Sequence, residues 1–90
     1  MNTMLTVDET VECAGCFIRR FFGFEAGEQT LVFIRKAAES GLTIAEFIAA
    51  VKTASKIGRD ATPEELVEAF RWECRAAWKR MRNENNPGSK

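Results

Sequence analysis

Ninety residues make a chain of single-domain length, and thirteen Lys plus Arg against thirteen Asp plus Glu leave a formal net charge of zero. The 46% hydrophobic fraction, with seven Phe and two Trp, excludes an intrinsically disordered chain. The balanced charge removes the long-range field that draws proteins onto nucleic acid, so any basic site must be local.

A domain of this size buries only about 60–65% of the surface its unfolded chain exposes, and a thin stability margin is expected. Met1 to Val7 lacks the basic start and apolar run of a secretory signal, and no stretch reaches the roughly eighteen apolar residues of a membrane span. The expectation is a cytoplasmic protein without membrane association that folds without a cofactor. Three cysteines cannot close a full disulfide set, and they are expected as free thiols that act first as small core residues.

In chain order, Thr6-Val7-Asp8-Glu9 fits a capping box, in which Thr and Glu satisfy each other's free backbone N–H groups. A first helix starts there. Val7, Val11, Ala14, Ile18 and Phe21 recur at helical spacing, Phe17 and Phe24 widen one flank, and Gly23 is placed to end the helix. A second helix is expected from about Glu25 to Ser40, with Leu31, Ile34 and Ala38 on one face, Phe33 on the other, and Gly41 as its stop. A helix apolar on both sides usually sits centrally in a bundle. Thr30 to Ile34 also fits a strand, but only Met4 to Val7 is offered as a partner, and a lone strand leaves its backbone unsatisfied.

Thr43-Ile44-Ala45-Glu46 is a second capping box, followed by the stripe Ile44, Phe47, Ile48, Val51 and Ala54 before Gly58. Thr62-Pro63-Glu64-Glu65 adds Pro at the first helical position to a third box, opening the longest helix through Leu66, Phe70, Cys74, Ala77 and Met81. That helix should fray near Asn83. The reading is an all-α fold, a compact antiparallel bundle of about four helices. Residues 1–6 are read as an N-terminal arm, 7–84 as a single helical domain and 85–90 as a flexible tail.

Each predicted helix is acidic at its start and basic at its end, which complements the helix dipole and accounts for most charge clusters. The fourth helix goes further. Measured from Phe70 at about 100° per residue, Arg71, Arg75, Lys79 and Arg82 fall at roughly 100–180° and Trp72 near 200°, away from the core stripe. Trp and Arg are the residue types that most often anchor interfaces, so these five form the candidate partner-binding face. The competing structural account pairs Arg71 and Arg75 with Glu68 and neighbouring helices, and packs Trp72 under a loop or the N-terminal segment.

Cys13-Ala14-Gly15-Cys16 has the spacing of redox and zinc motifs, but it falls mid-helix, and the chain has no His and only Cys74 besides. No metal site is expected. The absence of His also removes the commonest general base and the usual nucleophile pairs, and no Gly-rich loop could cradle a phosphate. Glu64, Glu65 and Glu68 are better explained by the dipole than by acid–base work.

The leading expectation is therefore a non-enzymatic, protein-binding module, a stand-alone regulator or inhibitor of a larger complex whose partner presents an acidic surface. Such proteins are common among mobile-element and phage products, a class-level prior and not a resemblance. The alternative is a helical, nucleic-acid-binding transcriptional regulator. In it the third and fourth helices form a loose helix-turn-helix, with Lys52, Lys56 and Arg59 as a secondary set of phosphate contacts. Against it, the first turn of the fourth helix carries Glu64, Glu65 and Glu68, which phosphates would repel. A homodimer covering Phe22 and Phe33 is compatible with either function.

Overall fold

The computed structural model describes residues 5–58 and 60–84, the side chain of Glu84 excepted. Among the described residues, four α-helices, α1 (Val7–Phe22), α2 (Glu28–Glu39), α3 (Ile44–Ala54) and α4 (Pro63–Glu84), make up the fold, with a 3-10 turn at Ser55–Ile57. The described residues contain no strand, so Thr30 to Ile34 is helical. With 22 residues, α4 is the longest element. The expected tail at 85–90, most of the arm and Arg59 lie outside the described residues.

The three capping boxes form as read. Thr6 Oγ1 accepts from the Glu9 N–H at 3.1 Å while Glu9 Oε1 accepts from the Thr6 N–H at 2.9 Å, and Thr62 with Glu65 repeats both distances. Thr43 and Glu46 close the third box with longer bonds of 3.3 and 3.5 Å. Gly23 ends α1 in the left-handed region at φ 87°, where a Cβ would be strained.

The start of α2 departs from expectation by three residues. Gly27 is the N-cap, with extended backbone and no side chain to cap the helix. Glu25 falls in the preceding loop, where its carboxylate meets Arg19 at 3.7 Å, an exposed pair of little energetic weight.

Direction follows from named contacts. Asp8 near the start of α1 accepts from Arg35 near the end of α2 at 2.7 Å, and Arg19 near the end of α1 meets Glu25 just before α2. Thus α1 and α2 are antiparallel. α4 packs back on α3, stacking Phe47 on Phe70 with ring centroids 6.3 Å apart. The core is Ile18, Ile34, Phe47, Val51, Phe70 and Cys74, each essentially inaccessible to solvent, with smaller residues between them. Burying the two Phe rings alone contributes several kcal/mol, at about 1.5–3 kcal/mol for each large apolar side chain.

Several stripe positions shift at their edges. Phe21 is 40% exposed and stacks on Phe17 outside the core, while Leu66 and Met81 are only half-buried. Leu42, in the turn before α3, is buried although it belongs to no helix. The expectation that α2 sits centrally is corrected. It packs mainly on α1 and approaches α4 less closely, with Val32 48% exposed on its outer side. Among the described residues no helix is long and apolar enough to cross a membrane.

Candidate protein-binding face

Trp72 lies near the middle of α4 and is 69% exposed, the most exposed large apolar side chain among the described residues. The helical register forces this, since Phe70, Cys74 and Ala77 turn inward and leave Trp72 on the far side. Arg75, Lys79 and Arg82 are exposed along the same outward side. The packing of Trp72 under a loop is therefore excluded, as is an ion pair between Arg71 or Arg75 and Glu68. The ion pairs formed among the described residues are Arg19–Glu25 and Arg35–Asp8.

Arg71 does not stand on the open face as the wheel implies. It is half-buried, with its guanidinium carbon 5.6 Å from the centroid of Phe33, and its Nε is buried with no hydrogen-bond partner. Phe33 in turn meets Phe70 edge-on at 6.2 Å. The order Phe70, Phe33, Arg71 is thus a layered contact that ties α2 to α4 where their backbones stand apart.

Beside it run two concavities. The larger, about 750 Å³, lies between the start of α2 at Gly27–Thr30 and the first half of α4, and is bounded by Val67, Arg71, Trp72 and Arg75. The smaller, about 230 Å³, is lined by Phe33, Lys36, Ala37, Cys74, Arg75 and Trp78. Trp78 is half-buried and carries the Arg82 guanidinium 4.7 Å from its ring, a cation–π contact. Trp78 had no place in the sequence-based site. The signal was available, because Val67, Arg71, Cys74 and Trp78 recur at helical spacing on the flank between core stripe and basic face.

The secondary basic set is not gathered into this face. Lys52 is exposed in the last turn of α3 and Lys56 in the 3-10 turn, both leading into the start of α4, which lies about 24 Å along the helix axis from Lys79. Arg59 is outside the described residues. At that same end Glu64, Glu65 and Glu68 are exposed.

The cysteines divide by environment. Cys74 is buried, and desolvation, then the neighbouring Glu73 carboxylate, pushes its thiol up to about 12. Cys13 is half-buried, whereas Cys16 is exposed at the α1–α2 cleft and does not serve as core. Among the described residues no three His, Cys, Asp or Glu side chains converge as a metal site would require.

The chain matches no family model, no curated protein and no solved structure. Any functional reading of it rests on its own chemistry.

Proposed function

We propose that this protein is a non-enzymatic, protein-binding module, a stand-alone regulator or inhibitor that engages an acidic face of a larger partner through α4. The observation that carries the reading is the exposure of Trp72 in the middle of a rigid helix, flanked by Arg75, Lys79 and Arg82. A large exposed aromatic costs solvation without stabilising the fold, and buried against a partner it supplies apolar area at little entropic cost. The adjacent cations favour carboxylates on the other side. With no His in the chain, the usual acid–base and nucleophile arrangements are missing.

The nucleic-acid alternative is disfavoured by Glu64, Glu65 and Glu68 at the exposed start of α4, where a recognition helix would meet phosphates and bases. The homodimer loses its original rationale. Phe22 is half-buried against Phe24 at 5.7 Å, and Phe33 is covered by Phe70 and Arg71 within the same chain.

Affinity capture from the native host with wild-type protein, Trp72→Ala and Arg75→Glu/Lys79→Glu tests the reading. A protein retained by the wild type and lost by both variants supports it. Retention by both variants rejects the α4 face. A retained nucleic acid whose log affinity falls with log salt at about −0.9 per phosphate contacted transfers the function to the alternative.

A further inference from the structure

The concavities on either side of Arg71 line one furrow, because α2 and α4 run parallel. Thr30 faces Val67 and Arg71 at one end, Phe33 packs on Phe70 in the middle, and Ala37 faces Cys74 and Trp78 at the other. The turn after α2 then reaches the end of α4, where the Gly41 Cβ position would lie 3.5 Å from Met81 Cε. The helices diverge enough that side chains, not backbone, close the space between them. The floor at the far end is apolar, and Trp72 stands on the α4 rim of the near end.

Charge is graded along the furrow. Glu28, Glu64 and Glu68 line the end where α2 and α4 begin, Lys36 lines the other, and Arg75 borders both concavities, with Arg82 over Trp78 beyond them. Arg71 stands between, its guanidinium over Phe33 and its buried Nε unpartnered. A swing of Arg71 would give up its contact with the Phe33 ring but no hydrogen bond at Nε, and would join the two concavities into a trough. From Glu28 to Ser40 that trough is about 18 Å long, three turns of helix.

We propose that this trough is the seat of an amphipathic helix of the partner, acidic in its N-terminal half, laid antiparallel to α2 and α4. The proposal rests on the protein-binding reading above and specifies what the partner presents. An apolar edge at i, i+3, i+4 and i+7 matches the Phe33, Ala37 and Trp78 floor, as in helix-in-groove recognition. Acidic residues in its first turns meet Lys36, Arg71 and Arg75, and basic residues in its last turn meet Glu28, Glu64 and Glu68. The antiparallel orientation also opposes the dipole of the added helix to those of α2 and α4. A parallel helix would set like charges together at both ends.

The probe is a pair of hydrocarbon-stapled peptides, each about twelve residues long to match the trough, sharing one Leu edge. One has Glu in the first half and Lys in the second, and the other has Glu and Lys alternating through both halves, so that it matches the charges of the trough in neither direction. Titrated into the isotopically labelled protein, the first should shift the amides of Phe33, Ala37 and the Trp78 indole, and bind at least about ten-fold more tightly than the alternating peptide. A spin label on its N-terminus should broaden Lys36 and Arg82 and spare Glu28 and Glu64. Equal affinity for both peptides, binding of neither, or broadening at the Glu28 end overturns the proposal.

Ala37→Trp, which fills the floor, should abolish binding of the peptide and of the captured partner. The exposed double variant Lys36→Glu/Arg75→Glu guards against a folding defect and, by making both ends of the trough acidic, should erase the preference between the two peptides. If both variants retain the captured partner while Trp72→Ala loses it, the α4 face stands and the trough falls. If Trp72→Ala retains it as well, both readings fall.

Discussion

The Arg71 guanidinium lies 5.6 Å over the Phe33 ring, a contact that joins α4 to α2. A half-buried cation–π pair contributes roughly 0.5–2 kcal/mol, whereas a buried N–H without a partner costs about 1–3 kcal/mol. The two effects nearly cancel. Arg71→Met keeps the aliphatic cover over Phe33 and removes the orphaned donor, so its stability should equal or exceed wild type. Phe33→Ala removes the ring from both neighbours and should cost about 1–3 kcal/mol, less than a fully enclosed Phe. Urea midpoints with unchanged slopes measure both, and a loss above about 2 kcal/mol in Arg71→Met would show that the ion–ring contact dominates.

Trp72→Ala should leave stability within about 0.5 kcal/mol of wild type, because a side chain 69% exposed contributes little to the core. The two tryptophans should separate spectroscopically. Trp72 is expected to emit at long wavelength and be quenched by iodide, while half-buried Trp78, covered by Arg82, is quenched less. Loss of the accessible component in Trp72→Ala, with an unchanged thermal midpoint, is the expected outcome, and a collapse of the midpoint would assign Trp72 to packing.

Phe47→Ala and Phe70→Ala should each cost about 3–5 kcal/mol, since both rings are fully enclosed and stacked on one another. A domain of this size has few kcal/mol beyond that to lose. Largely unfolded variants by circular dichroism are expected, and the double variant should lose less than the sum of the singles because the rings share a contact.

Thiol reactivity should follow burial: Cys16 reacts fastest with a small disulfide reagent, Cys13 more slowly, and Cys74 only as the protein unfolds. The raised Cys74 value also fixes a pH dependence. The unfolded thiol ionises from about pH 9.0 and the folded one only near 12, so ionisation favours the unfolded state between them. The stability held by the neutral thiol is complete below pH 9 and is lost as pH rises toward 12. Its slope approaches about 1.4 kcal/mol per pH unit. The chain has no Tyr to titrate in that range. Cys74→Ala should be less stable at pH 8 but show a shallower alkaline decline, and an identical decline in both proteins would remove Cys74 as its source.

What the sequence determined by itself is what local chemistry decides. Thr6, Thr43 and Thr62 start α1, α3 and α4 because a hydroxyl and a Glu three residues later satisfy N–H groups within one turn, whatever surrounds them. The inward positions of Phe47, Phe70 and Cys74 and the outward one of Trp72 follow from register alone. Where no side chain could cap a helix, at Gly27, the predicted start was three residues early. Tertiary structure decided the rest, because it depends on how far apart two helices stand. A wheel placed Arg71 beside Trp72 on open surface, but it could not know that α2 would come near enough for Phe33 to draw the guanidinium in, yet stay far enough to leave a furrow beside Trp78. That spacing is set by the packing of all four helices together, and no single helix records it.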